Sequence, residues 1–273
     1  MTVIVGVHGI GKYNYYLEAG GSAAGAAEAM RLKWDRYLHL ALGGEARTYF
    51  SEIAYFSHHL HDGKGGNGGP RSLASMEGAA QQVLVNWARN RGVGEHITGA
   101  LKSFTGWLLT KLDDRSAAFA ERFAPEVAAY LTDHVKREKC RQTVADVIRR
   151  NRPKVVIAHS LGSVVAYETL WGHPDLRIDL LITLGSPLGM RNVVFERLLP
   201  TPINGRGQRP PGVRRWVNIA DKDDIAAIPP DLGGSFTGID VEELVNLHWI
   251  DFHTAEKYLG CPALDPHLRP FLA

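Results

Sequence analysis

The segment that most narrows the fold is residues 155–163, VVIAHSLGS. Val155-Val156-Ile157-Ala158-His159 is a short, β-branched apolar run of the kind that forms a buried strand, and the residues from Leu161 read as a helix. Between them stands Ser160, with a small residue two positions before it and Gly162 two positions after. A strand that passes directly into a helix at this spacing is a nucleophile elbow, a turn so tight that the flanking positions must lack bulk. It lifts the Ser160 hydroxyl above the C-terminal edge of a sheet. The first helical turn adds positive potential and amides without acceptors, Leu161 N–H among them. Ala158 takes the place of the usual glycine; it is small and removes no reacting atom.

The rest of the chain repeats the strand-then-helix pattern. Thr2 to Val7 reads as a buried strand ending in the turn His8-Gly9-Ile10-Gly11, and not as a signal peptide, because no basic residues precede it. A helix from about Ser22 to Leu42 follows, with Met30, Trp34, Tyr37, Leu38 and Ala41 at helical spacing and Gly43-Gly44 as its stop. Arg47 to Ser57 reads as a second strand, and His61 to Pro70 as a flexible glycine-rich loop. Residues 71 to about 123 read as helical, with Trp87, Phe104, Trp107, Phe119 and Phe123 on apolar faces. Pro125 then reads as the start of an amphipathic helix over Glu126 to Arg150. Further strands are expected at Lys154–His159, Ile178–Leu184, Arg214–Ala220 and near Leu247–Ile250. Short helices are expected over Arg191–Leu199 and Thr254–Leu259, and a Pro/Gly loop over Thr201–Gly212. Continuous apolar strands alternating with helices predict an α/β fold: a mostly parallel sheet of about six strands, covered on both faces.

Composition bounds the function classes. The 273 residues suit one domain, since the two strands before the glycine-rich loop are too few for a sheet of their own. A formal net charge of +2 without a basic run gives no reason to expect nucleic acid or an anionic membrane as partner. Cys140 and Cys261 are the only cysteines; they lack metal-ligand spacing and suit a reducing, cytoplasmic compartment. No apolar stretch is long enough for a membrane span.

Three further segments carry candidate chemistry. An H-G-x loop after a strand can supply an oxyanion donor to partner Leu161 N–H; here the donor is Ile10, with Gly11 as the alternative. Gly6 to Lys12 also fits most of a P-loop, but Tyr13 stands where the magnesium-binding Ser or Thr belongs, and no clean helix start follows. A strand over Trp216–Ala220 runs into a turn containing Asp221, Asp223 and Asp224, three candidates for a carboxylate that orients an imidazole. His248 and His253 near the C-terminus compete for the imidazole. His58, His59 and His61 read as residues of a solvated loop; no metal or cofactor is expected.

The order Ser, Asp, His on loops after successive strands resembles the α/β-hydrolase superfamily. Within it the chain looks like bacterial lipase-like serine esterases, through Gly9–Gly11, the segment Thr183-Leu184-Gly185-Ser186-Pro187-Leu188, and the acidic turn Trp216 to Asp224. The likeness covers most of the chain outside 58–124. It implies an α/β-hydrolase fold over 1–273. The helical insertion at 58–124, which starts at the C-terminal end of the second strand, reads by its place as a cap over the site, the alternative being helices that cover the sheet's far edge. The family's G-x-x-D-x-I turn places the acid at Asp223, and its histidine before a Tyr-Leu helix selects His253. The implied activity is hydrolysis of an ester, thioester or related acyl bond in a hydrophobic small molecule, without cofactor. A cyclase, acyltransferase or peptidase would use the same residues, and a non-catalytic binding protein the same fold.

Overall fold

A computed structural model describes residues 2–44, 49–61, 78–90, 114–247 and 253–272. Six strands form one sheet in the order β2-β1-β3-β4-β6-β8, and every neighbouring pair is parallel. They are β1 (Thr2–Val7), β2 (Tyr49–Ala54), β3 (Val155–His159), β4 (Ile178–Leu184), β6 (Val213–Asp221) and β8 (Val241–Val245). Two-residue strands β5 (Gly207–Gln208) and β7 (Phe236–Thr237) pair apart from it, inside and beyond the segment expected to be loop.

The period-two alternation of strand side chains assigns the two faces. Val5, Val7, Val156, Ala158, Leu181 and Trp216 point into one core, and Ile4, Val155, Ile157, Ile182, Val217 and Ile219 into the other. Helix α2 (Ala23–Ala41) covers the second face with Met30, Trp34 and Leu38; Ser22 caps it by accepting the Gly25 N–H. A six-residue helix α1 (Tyr13–Glu18) precedes it, so a helix does begin directly after Lys12. Helices α3 (Ala79–Asn90), α4 (Asp114–Thr132), α5 (His134–Asn151) and α6 (Leu161–Gly172) cover the first face. The C-terminal helices α7 (Ala255–Leu259) and α8 (Asp265–Leu268) pack on the side of α2.

Several boundaries differ from the sequence-based expectation. Pro125 lies inside α4 and starts no helix. The next helix begins at His134, because the Asp133 carboxylate accepts the Val135 and Lys136 N–H groups and supplies the cap. Among the described residues the last strand is β8 at Val241–Val245; of the strand expected near Leu247–Ile250 only Leu247 is described, outside any strand, and the rest lies outside the described residues. Glu242 and Glu243 of β8 suit a solvent-facing edge strand, which an apolar-run criterion passes over. The Arg191–Leu199 helix shrinks to one 3-10 turn at Phe195–Arg197. Of the 58–124 insertion, Val83, Leu84, Trp87 and Phe123 share the core of Val7 and Ala158. The glycine-rich loop, Phe104, Trp107 and His248 lie outside the described residues. Among the described residues no helix is long and apolar enough to cross a membrane.

The chain steps from β1 to β2 on one side and returns past β1 to β3 on the other. Loops leaving the C-terminal ends of β1 and β3 therefore diverge and open a crevice, the usual place for a ligand in such sheets. His8-Gly9 and His159-Ser160 line that point, since Val7 pairs with Ala158. A Cβ on Gly162 would run into the backbone carbonyl oxygens of His8 and Val7. Backbone cannot yield as a side chain end can, so Gly162→Ala is expected to destabilise the fold by about 3 kcal/mol or more. For a domain of this size that lowers the Tm by roughly 6–12 °C. Thermal unfolding of the variant checks it; an unchanged Tm would mean that the two backbones are further apart.

Candidate active site

Ser160 leaves β3 with φ 55° and ψ −131°, a conformation that non-glycine residues rarely adopt. Its N–H donates to Leu184 O at 3.0 Å, and α6 starts at the next residue. Gly9 passes so close that a Cβ there would stand 2.6 Å from Ser160 Cβ. Gly9 on the β1 loop thus packs directly on the turn, where a residue with a side chain would not fit.

Three side chains meet at its tip. Ser160 Oγ lies 2.7 Å from His253 Nε2, and His253 Nδ1 lies 2.8 Å from Asp224 Oδ2. An ionised carboxylate only accepts, so Nδ1 carries the proton and Nε2 accepts the Ser160 hydroxyl. The carboxylate beside the imidazole is thus Asp224, where the sequence reading placed Asp223. Asp221 is the cause: its Oδ1 accepts the Asp223 N–H at 2.8 Å and its Oδ2 the Leu247 N–H. That Asx-type turn leaves Asp223 exposed and swings Asp224 inward, where it is buried. Asp224 Oδ1 accepts the Ala226 N–H at 2.7 Å.

Tyr258 completes the acid's surroundings. Its hydroxyl accepts the Asp221 N–H at 2.8 Å and donates to Asp224 Oδ2 at 2.6 Å. Burial, then the charge of Asp224, push its ionisation well above the usual phenol range, so it keeps its proton. Gly185, with φ +52°, makes room for this pair: a Cβ there would be 2.7 Å from Asp224 Oδ2. The sequence named Tyr258 and Gly185 only as parts of motifs, and their neighbours along the chain do not reveal these contacts.

The flanking residues brace the same point. Phe119 of α4 sets its ring edge-on to His253 at 5.0 Å, and Trp87 of α3 donates to Ile225 O at 2.7 Å. Ser163 is occupied: its hydroxyl donates to Ser160 O at 2.6 Å and lies 2.7 Å from Ser186 Oγ, which in turn accepts the Leu188 N–H. His159, buried beside His253 with ring centres 5.0 Å apart, has neither ring nitrogen hydrogen-bonded among the described residues. Burial holds it neutral far below the ordinary histidine range.

The two expected oxyanion donors lie on elements that adjoin the serine turn, the start of α6 and the β1 loop whose Gly9 packs on Ser160. Leu161 N–H, at the first position of α6, has no acceptor within the helix. The β1 loop contributes Ile10, which is partly buried against the first core. Gly11 drops out, since its N–H donates to Glu126 Oε1 at 3.0 Å. The same carboxylate opposes the phosphate-loop alternative, because it occupies an amide that a phosphate would need and repels its charge. His58, His59 and His61 are partly buried and packed, in contrast to the solvated loop expected from the sequence. His61 stacks on Tyr13 at 4.0 Å and His59 bonds Thr143 Oγ1 at 3.0 Å. No group of three His, Cys, Asp or Glu among the described residues could hold a metal ion.

A serine whose proton can pass to a carboxylate-held imidazole, beside amides that can bind an oxyanion, is equipped for attack on a carbonyl. Comparison with known proteins adds nothing to this geometry: no protein-family model, no curated protein and no solved structure matches the chain.

His8 fixes the β1 loop. Its Nδ1–H donates to Gly9 O at 2.7 Å and its Nε2 accepts the Phe56 N–H at 3.1 Å, an arrangement open only to the neutral ring. Burial lowers its pKa from 6.5 to about 3. The unfolded chain therefore binds a proton below pH 6.5 that the folded protein refuses down to about pH 3. The stabilisation is complete above pH 6.5 and is lost as the pH falls through that window, by roughly 1.4 kcal/mol per pH unit. Urea unfolding at pH 7 and pH 5 should show the loss. His8→Asn should remove about one proton from the slope, and an identical slope would exclude the neutral ring.

Proposed function

We propose that the protein is a serine hydrolase of the α/β-hydrolase fold that cleaves an ester, thioester or related acyl bond through an acyl-enzyme. The observation that carries this reading is the unbroken chain of contacts Ser160 Oγ–His253 Nε2 and His253 Nδ1–Asp224 Oδ2, with the serine held in a strained strand-to-helix turn. The chain order Ser160, Asp224, His253 and a parallel sheet that presents the serine at its switch point both support the fold assignment.

On this reading Ser160 Oγ attacks the acyl carbonyl while His253 Nε2 takes its proton. Asp224 holds the imidazole in the tautomer that can accept, and stabilises the imidazolium that forms. The tetrahedral oxyanion lies against the Leu161 and Ile10 N–H groups, preorganised donors that need no rearrangement as charge develops. His253 then protonates the leaving group. A water molecule, deprotonated by the same nitrogen, releases the acid. The apolar neighbours Ile10 and Phe119 favour a hydrophobic acyl substrate. Cys140 and Cys261, both buried and unpaired, fit a reducing cytoplasm.

The test is kinetic, on p-nitrophenyl esters of increasing chain length. Ser160→Ala should cut kcat by about 10⁶, since the three groups act as a unit. Asp224→Asn should cost about 10⁴ with the fold intact. Asp223→Asn, at an exposed position, should stay close to the parent. A greater loss for Asp223→Asn than for Asp224→Asn would return the acid role to Asp223, and hydrolysis that survives Ser160→Ala would end the proposal.

A further inference from the structure

We infer that Glu126 is a positioning residue that ties the oxyanion loop to the helix bracing His253; this rests on the acyl-transfer reading above. Several hydrogen bonds among the described residues hold residues 8–12. His8 Nδ1–H donates to Gly9 O, Gly11 N–H donates to Glu126 Oε1 at 3.0 Å, and Lys12 O accepts the Tyr55 hydroxyl at 2.8 Å. Gly11 adopts φ +71°, so the turn there is left-handed and suited to glycine. The His8 ring also accepts the Phe56 N–H and Lys12 O the Tyr15 N–H, so these holds come from within the loop, from the residues just after β2 and from α1. Only the Glu126 hold comes from α4.

Glu126 and Phe119 are seven residues apart on α4, two helical turns, and so share one face. Phe119 rests edge-on against His253, while Glu126, 8% exposed, takes the amide of Gly11. One rigid helix therefore contacts both the base and the loop that offers Ile10 N–H. Drawing the Gly11 amide towards α4 leaves the amide of Ile10 as the loop's donor for the oxyanion. The carboxylate's charge would oppose an oxyanion, and it faces His61 Nε2 at 3.6 Å with the Lys12 ammonium in its field. What the loop needs from residue 126 is an acceptor oxygen and not a charge, so an amide should serve as well as the acid.

The full-length protein tests this with two readouts. In hydrogen exchange followed by mass spectrometry, Glu126→Ala should speed exchange of the 8–12 segment roughly tenfold, and Glu126→Gln should leave it close to the parent. In ester hydrolysis, Glu126→Ala should lower kcat at least tenfold with KM changed less than about threefold. It should weaken an aryl boronic acid, which forms a tetrahedral adduct, by a matching factor, and Glu126→Gln should restore both. If Glu126→Ala does not fold, Glu126→Met, of similar length and without a strong acceptor, takes its place. Unchanged exchange would overturn the tether. Faster exchange with unchanged kcat would overturn its role in positioning, as would equal losses for Ala and Gln. If the parent hydrolyses no ester and binds no boronic acid, the acyl-transfer reading fails and the positioning role with it, while the exchange result still decides whether Glu126 holds the loop.

Discussion

Where β1 and β3 end, the carbonyls of Val7 and His8 lie against the α-carbon of Gly162 and leave no room for a side chain. That close approach is the constraint on which the site depends. It presses the start of α6 against the β1 loop and lets the Ser160 turn keep its unfavourable φ of 55°. Strain of this kind costs on the order of 1–3 kcal/mol and persists only where the surroundings over-determine it. Here they do: Ser160 N–H is bonded to Leu184 O, its carbonyl takes the Ser163 hydroxyl, and Gly9 closes over its β-carbon.

The acid side is fixed by a different device. Asp221 ends β6 and spends its carboxylate on the backbone of the turn, which sets Asp224 inward; Tyr258 from α7 then joins the two. His253 needs little beyond this, because Asp224 and Ser160 occupy its two nitrogens and Phe119 packs on its ring. Helices α3 and α4, placed after β2 in the chain, reach the same point through Trp87, Phe119 and Glu126. The insertion is therefore joined to the core where it is described, since its buried residues share the hydrophobic cluster of the central strands.

The central strands were legible because buried parallel strands are continuous apolar runs, and β3 and β4 fall within a residue of their expected bounds. The elbow was legible because its steric demands leave small residues at fixed offsets. Asp224 was not, because a motif aligns residues along the chain, whereas the choice among three aspartates is made by an Asx turn that sends neighbouring side chains to opposite sides. The absorbing signal was available in the apolar run Ile225-Ala226-Ala227 directly after Asp224, which marks the buried end of the turn. Pro125 misled for a related reason: proline favours a first helical turn but does not exclude a helix held by packing, and the cap that counted was Asp133. Glutamates on β8 hid an edge strand whose outer side faces water.

The most direct measurement is to treat the protein with a fluorophosphonate, digest it, and locate the added mass by tandem mass spectrometry. A serine activated by His253 should carry one equivalent of phosphonyl group on Ser160, with none on Ser163, whose hydroxyl is committed to Ser160 O and faces Ser186. No adduct, or an adduct on Ser163 or another serine in place of Ser160, would contradict the account.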